Sequence, residues 1–323
     1  MSSSLTSRPR GAAGFGTALA AARAELAAGL GQPQARVSPK YFYNALGSKL
    51  FEAICLVDEY YVTRVETGIY QEHAAAIGQA AGTGVTLIDL GAGNCAKAAS
   101  LFDTLRPRQY VPVDISADFL RGAVSRLATA YPQIPMLPVG LDFEQNLNLP
   151  GQVGAERRLF FYPGSSIGNF TPLQAAQFLG RVRGACGADG ALLIGIDLVK
   201  DHDVLQAAYD DALGVTAAFN VNALMHANAL LGADFTARDW RHVALFNAEQ
   251  SRIEMHLQAR RDVTVHWPGG TRAFAAGERI HTENSYKYTE EKFVELLNAC
   301  GFGQVQCWTD ADRQFLVCHA HAL

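Results

Sequence analysis

The sequence predicts an α/β protein: a doubly wound, seven-stranded sheet accompanied by a second, discontinuous α+β domain. Three observations carry that reading. From Val85 onward, short apolar runs alternate with helical stretches, the pattern of a mainly parallel sheet covered on both faces. The run 85–88 ends in Asp89 and passes at once into Gly91-Ala92-Gly93, the strand–turn–helix opening of a nucleotide-binding sheet. The chain then closes on two strand patterns, 305–309 and 315–319, with Asp310-Ala311-Asp312 near their turn.

Taken in order, the expected strands are 85–89, 110–114, 136–141, 158–162 and 191–197, with helices over 94–105, 116–130 and 172–186 between them. Pro172 in a first helical turn, after Thr171, marks the start of the last of these. A further helix is expected from Thr289 to Cys300. Thr289 can cap it, Glu290 and Glu291 suit the dipole, and Gly301 stands at its stop. Two segments break the alternation. Residues 15–70 read as an Ala-rich helix followed by an aromatic, charged region; residues 200–286 read as helices at 202–219 and 221–231 and strands at 252–258, 261–267 and 278–284. The second interrupts the sheet on the strand edge where open α/β sheets bind ligands. The expected organisation is therefore a mobile tail over 1–14, a substrate-binding domain from 15–70 plus 200–286, and a nucleotide-binding domain from 71–199 plus 287–323.

Composition narrows the function. A hydrophobic fraction of 49% with 18% charged residues belongs to a compact, soluble chain. With a net charge of −4 and no basic run, nucleic acid is not an expected partner. No apolar run reaches the roughly 18 residues of a membrane span. The tail lacks an apolar signal core, and the six cysteines show no CxxC pair, so free thiols in the cytoplasm are expected. The histidines form no ligand pattern, so no metal is expected; a monomer is.

Asp89, two residues before the first glycine, is the telling detail. A dinucleotide turn wraps pyrophosphate with backbone N–H groups and needs no acid there. An acid suits a cationic ligand end, such as the sulfonium and amino-acid portion of S-adenosylmethionine. A second acid, Asp114, closes the next strand 23 residues beyond Gly91, near the roughly 20 expected for a ribose-binding carboxylate. Five parallel-type strands and a terminal hairpin also match the order of small-molecule methyltransferases. Asp142-Phe143, after the third strand, suits an adenine amino group and ring face, or else a helix cap and a core ring. The loop from Tyr162 to Phe170, with Gly164, Ser165, Ser166, Gly168 and Asn169, is polar and permits close approach. On one strand face, Glu283 and Ser285 can grip a small polar ring, although such a pair is commonly a solvated strand face. Tyr209-Asp210-Asp211 alone would be an ordinary helix surface.

Together these residues resemble the histidine Nα-methyltransferases of ergothioneine biosynthesis, which make trimethylhistidine (hercynine). The resemblance runs from about Pro39 to Ala320. It rests on Pro39-Lys40-Tyr41-Phe42-Tyr43 with Gly47-Ser48 and Leu50-Phe51, Glu59-Tyr60-Tyr61-Val62-Thr63-Arg64, Leu90-Gly91-Ala92-Gly93 with Lys97, and Tyr110-Val111-Pro112-Val113-Asp114. Ser166-Ile167-Gly168-Asn169, Leu198-Val199-Lys200-Asp201 with Tyr209-Asp210-Asp211, and His281-Thr282-Glu283 complete it. It implies that Gly91, Lys97, Asp114, Asp142 and Phe143 contact S-adenosylmethionine, to which the residue reading adds Asp89 and Gly93. It implies that Tyr43, Tyr60, Gly164, Asn169 and Tyr209 surround the amino and carboxylate groups of L-histidine, with Tyr43, Tyr60 and Asn169 in the catalytic role. Glu283 and Ser285 would hold the imidazole. The chain departs from the family at Val57-Asp58, Asn94-Cys95-Ala96, Asn284 and Tyr286. The competing readings are an α-N-methyltransferase of another aromatic amino acid or tryptophan derivative, a nicotinamide-dependent oxidoreductase on the same sheet, and a non-catalytic binding protein.

Overall fold

The computed structural model describes residues 11–115 and 117–323. Of the tail expected over 1–14, residues 1–10 lie outside the described residues. Gly11 to Gly14 instead open helix α1 (Gly11–Leu30), whose alanine content favours the helix. Helices α2 (Ala45–Ile54), α3 (Tyr61–Glu72) and α4 (Ala74–Ala81) follow. Five strands come next: β1 (Thr86–Leu90), β2 (Gln109–Asp114), β3 (Val139–Gly140), β4 (Arg158–Tyr162) and β5 (Ala191–Asp197). Their connections carry α5 (Ala96–Ala99), α6 (Phe102–Leu105), α7 (Ala117–Ala130) and α8 (Pro172–Cys186). The remainder holds α9 (His202–Ala207), α10 (Val215–Leu231), β6 (Trp240–Asn247), β7 (Arg252–Ala259), β8 (Val263–Trp267), β9 (Gly270–Phe274), β10 (Arg279–Tyr286), α11 (Glu290–Ala299), β11 (Phe302–Thr309) and β12 (Phe315–Ala322).

The chain forms two compact units. One takes the chain up to Gly47 with Ala217–Val243 and Met255–Glu283; the other takes Ser48–Thr216, Ala244–Glu254 and Asn284–Leu323. The second unit holds the seven-stranded sheet, in the order β11-β12-β5-β4-β1-β2-β3. Neighbours from β5 to β3 run parallel, and β12 is antiparallel to both β5 and β11. Every residue of β1 and β5 is buried, which is why these strands read as continuous apolar runs and not as alternation. Ile88, Val111, Phe160 and Leu192 from the strands pack with Phe178 and Val182 of α8 in one core. Helix α8 starts on a full capping box: the Thr171 hydroxyl accepts from the Gln174 amide and the Gln174 side chain returns to Thr171. The Thr289 hydroxyl caps α11 by accepting from the Lys292 N–H.

The first unit centres on Trp240, whose ring meets Phe274 edge-on at 5.1 Å and Phe235 at 5.7 Å. Strands β8 and β9 form a hairpin through Pro268-Gly269. Two strands escape the sequence reading, β6 and β9. Among the described residues no helix is long and apolar enough to cross a membrane.

Gly195, in the middle of β5, is fixed by close approach. A Cβ there would lie 2.1 Å from Glu66 Oε1 and 2.9 Å from the Phe315 ring. Gly195→Ala should therefore cost about 1–3 kcal/mol or more of stability, read as a lower urea midpoint at unchanged slope. An unaltered midpoint would contradict this packing.

Candidate active site

The turn after β1 places its backbone for a ligand. Gly91 and Gly93 take φ values of +73° and +52°, which favour glycine. The Gly91 and Ala92 N–H groups donate to the Val113 carbonyl, which ties the turn to β2. At the end of β2, Asp114 Oδ2 accepts from the Gly93 N–H at 3.1 Å. The Phe143 ring lies against Gly91, with its Cζ 3.7 Å from where a Cβ would stand. That ring also packs on Tyr162 and Phe178. Asp142 accepts from the Gln145 side chain at 2.8 Å. In the Asn94-Cys95-Ala96 departure, the Asn94 side-chain Oδ1 accepts from the Ala96 N–H at 3.1 Å and steadies the entry to α5. A carboxylate at a strand end, an aromatic face and a close-approach glycine turn together fit a nucleoside-bearing methyl donor.

Asp89 sits differently from its neighbours. It is 2% exposed, and its Oδ2 accepts from the Tyr110 hydroxyl at 2.7 Å. Burial pushes its pKa up to about 7, against the lowering effect of the Tyr110 hydrogen bond.

Glu66 of α3 joins two of the expected site residues. Its buried carboxylate accepts from Lys97 Nζ at 2.6 Å and from the Gly164 N–H at 2.8 Å, with the Tyr70 hydroxyl at 3.2 Å. Gly195 leaves the space this carboxylate occupies.

A third buried carboxylate, Asp197 at the end of β5, organises another polar cluster of this unit. Oδ2 accepts from Lys287 Nζ at 2.7 Å, Oδ1 from Lys200, and both oxygens from the Tyr61 hydroxyl at 2.8 and 2.9 Å. The Asp197 N–H donates to Ser165 Oγ at 2.9 Å. Burial alone would raise the Asp197 pKa; the two ammonium groups outweigh it and hold the carboxyl below its ordinary range. Burial likewise disfavours the Lys287 ammonium, yet Asp197 keeps its pKa above that of an ordinary lysine. Lys287 also donates to Ser285 Oγ at 2.7 Å and to the Tyr209 hydroxyl at 3.2 Å, and Tyr209 donates to Ser285 at 2.7 Å. Ser285 and Tyr209, far apart in sequence, thus meet directly.

Tyr60 is buried just before α3, its ring edge-on to Tyr209 at 6.4 Å and to Phe51 at 6.2 Å. Arg64 fixes the backbone leading to it by donating to the carbonyls of Val57, Asp58 and Tyr60. The departure at 57–58 is thus held through main-chain groups. Asn169 ends a 3-10 turn, Ser166–Asn169. This turn passes so near β10 that a Cβ on Gly168 would stand 2.9 Å from the Tyr286 carbonyl oxygen. In the other unit, Tyr43 follows the 3-10 turn Pro39–Phe42, and its ring meets Phe219 edge-on at 5.5 Å. The adjoining backbone is pinned by Asn222, which donates to the Phe42 carbonyl and the Asn44 side chain. Glu283 and Ser285 are alternate residues of β10 and share a strand face. Asn284 and Tyr286, where the chain departs from the family, take the opposite face. There the Tyr286 hydroxyl accepts from Arg252.

Comparison with known proteins decides the family. The model of the histidine-specific, S-adenosylmethionine-dependent methyltransferases matches residues 22–322. The chain belongs to this family. It is 41% identical over 305 residues to the histidine N-alpha-methyltransferase of Mycolicibacterium smegmatis, covering 93% of this chain and 94% of that one. It is 38% identical over 301 residues to that of Mycobacterium tuberculosis, covering 91% and 93%. Ergothioneine biosynthesis protein 1 of Neurospora crassa is 30% identical over 277 residues, 83% of this chain but 31% of that longer protein.

Within this methyltransferase, sequence reasoning passed over Glu66, Asp197 and Lys287 and gave Tyr61 and Lys200 no role. Two signals were present. Lys287 lies two residues beyond Ser285, just past the end of β10, at the spacing that returns an extended chain to the same face. Asp197 ends an otherwise apolar strand, as Asp89 does. Glu66 gave little local signal, because apart from Tyr70 its partners lie 31 and 98 residues away.

Asp89 yields a pH-dependent outcome. Its carboxyl keeps a proton in the folded chain up to about 7, whereas the unfolded chain releases it near the ordinary value of 3.8. Between those values the folded state binds more protons, so this group's contribution to stability declines as pH rises through the window. Asp89→Asn removes that decline. The melting temperature of the variant relative to the wild type should rise between pH 4.5 and pH 7.5. A difference that stays constant with pH would contradict the buried, raised carboxyl.

Proposed function

We propose that this chain transfers methyl groups from S-adenosylmethionine to the α-amino nitrogen of L-histidine and continues to trimethylhistidine. The family match carries the reading, and the polar cluster at Ser285 supports it. In this reading Gly91, Gly93, Lys97, Asp114, Asp142 and Phe143 hold the donor, Asp114 at its ribose. Asp89 lends the turn negative charge from beneath Tyr110's hydrogen bond, ionising when a cation is held there. The donor-binding role belongs to 71–199 with 287–323, and the substrate-binding role to 15–70 with 200–286.

The donor supplies an electrophilic methyl group on a sulfonium. The chain's own residues must present the amine lone pair along the sulfur–methyl axis, and such orientation supplies on the order of 7–11 kcal/mol. The amine attacks only when neutral. Tyr60, Tyr43 and Asn169 hold it, directly or through water, while its proton passes to solvent water. The Gly164 N–H is committed to Glu66, so the 163–169 loop contributes shape and the Asn169 amide rather than that donor. The reading requires room for three methyl groups beside the amine, which Gly168 and Ser165 do not supply: Gly168 packs against the β10 backbone and Ser165 holds the Asp197 N–H. Each transfer before the third preserves the nitrogen lone pair. Glu283 accepts a ring N–H and Ser285 donates to the other ring nitrogen. A buried polar site of this kind rejects rings that cannot pair with it.

Mass spectrometry of histidine incubated with the protein and excess S-adenosylmethionine should show trimethylhistidine as the end product, with dimethylhistidine an active substrate. Lasting accumulation of mono- or dimethylhistidine would contradict the proposed capacity of the site. No methylation of histidine would overturn the reading itself.

Two substitutions separate donor from substrate. Asp114→Ala should weaken donor binding by about 1.5–3 kcal/mol, read by calorimetric titration. Glu283→Ala should lower the efficiency with histidine by about 2–4 kcal/mol, roughly 30- to 1000-fold. Donor affinity in that variant should remain, and discrimination against tryptophan should weaken. Full histidine activity in Glu283→Ala would remove that residue from ring binding.

A further inference from the structure

Ser285 is surrounded by donors. The Lys287 ammonium, with a side chain 0% exposed, has three acceptors: Asp197 Oδ2 at 2.7 Å, Ser285 Oγ at 2.7 Å and the Tyr209 hydroxyl at 3.2 Å. An ammonium has three N–H groups and no lone pair, so it can only donate. The Tyr209 hydroxyl, accepting from Lys287, donates its own O–H to Ser285 Oγ at 2.7 Å. Ser285 Oγ therefore accepts twice. A hydroxyl has two lone pairs and one hydrogen, so what remains to Ser285 is its proton.

We propose that Lys287 is a positioning residue that fixes Ser285 as a hydrogen-bond donor, so that the substrate ring is accepted only with an unprotonated nitrogen facing Ser285. The inference rests on the reading of Ser285 as a ring-binding residue. The nearest charge acts in the same direction: the Lys287 ammonium stands 2.7 Å from Ser285 Oγ, and a second cation held against Ser285 meets like charge. Lys200 serves as the matched reference. It too is bound to Asp197, but its other partners are the Tyr61 hydroxyl and the Leu198 carbonyl, and not Ser285.

The test compares histidine with a pyrrolylalanine, whose ring keeps the N–H and carries C–H in place of the acceptor nitrogen. The ratio of their kcat/KM values is measured in the wild type and in Ser285→Ala, Lys287→Met and Lys200→Met, with melting temperatures alongside. Each lysine substitution leaves Asp197 with one ammonium partner, so a balanced buried pair survives in both. The wild type should prefer histidine by roughly 10- to 100-fold. Ser285→Ala and Lys287→Met should both reduce the ratio to a few-fold, chiefly through a raised KM for histidine. Lys200→Met should lower the melting temperature yet keep the wild-type ratio. Lys287→Gln gives a second reading should the Met variant not fold. Its amide oxygen can accept the Ser285 proton, so the ratio falls there too. If Ser285→Ala reduces the ratio while both Lys287 variants retain it, the inference fails and the ring-binding reading stands. If Ser285→Ala retains the ratio, the ring-binding reading itself fails. An equal fall in Lys200→Met and Lys287→Met would mean general loosening of the cluster and would also overturn the inference.

Discussion

A carboxylate with no exposed surface, Asp197, must be neutralised where β5 ends, and the surrounding polar arrangement follows from that requirement. An isolated buried carboxylate would take up a proton or destabilise the fold. Here two lysines and the Tyr61 hydroxyl satisfy it, and removing one partner from such a group commonly costs about 3–5 kcal/mol. The partners come from α3, from the segment after β5 and from the residue that follows β10. One charge therefore ties three distant stretches of chain to the end of the central sheet. Lys287, held in this way, reaches Ser285 and Tyr209. Glu66 performs the corresponding task nearer the glycine turn, where it holds Lys97 and the Gly164 amide.

Much of the donor half was legible in the sequence because its signals are local. Asp89 before the glycine turn, Asp114 at the next strand end and Thr171-Pro172 at a helix start each depend on a few adjacent residues. The observed bounds of β4, β5 and α8 agree with that reading, and so does the antiparallel closing pair. The expected third strand over 136–141 is reduced to Val139 and Gly140, while Met136 pairs with Tyr110 of β2 as an isolated bridge. The helix expected over 94–105 divides into α5 and α6, separated by Ser100 and Leu101. Residues 48–70, 200–216, 244–254 and 284–286, grouped by sequence with the substrate segment, fold within the sheet-bearing unit.

What escaped was set by long-range pairing. β9 begins with Gly270 and carries Thr271 and Arg272, a composition that resembles a loop until β8 supplies its hydrogen bonds. β6 holds Arg241 and His242 among its apolar residues and shows no clean alternation. The charged residues that act through others were harder still. Glu66, Asp197 and Lys287 are recognised by what they face, and a pattern in sequence records only which side of a strand or helix they occupy.

In the proposed reading the hydrogen-bonding sense at Ser285 is set before a substrate arrives, because Lys287 and Tyr209 both donate to its hydroxyl. The most direct measurement is the nitrogen-15 spectrum of ring-labelled histidine bound to the protein with S-adenosylhomocysteine, near pH 6, where much of the free amino acid carries a protonated ring. One protonated and one unprotonated ring nitrogen, in a single neutral tautomer, is the result this arrangement requires. A bound imidazolium, or two tautomers in comparable amounts, would contradict it.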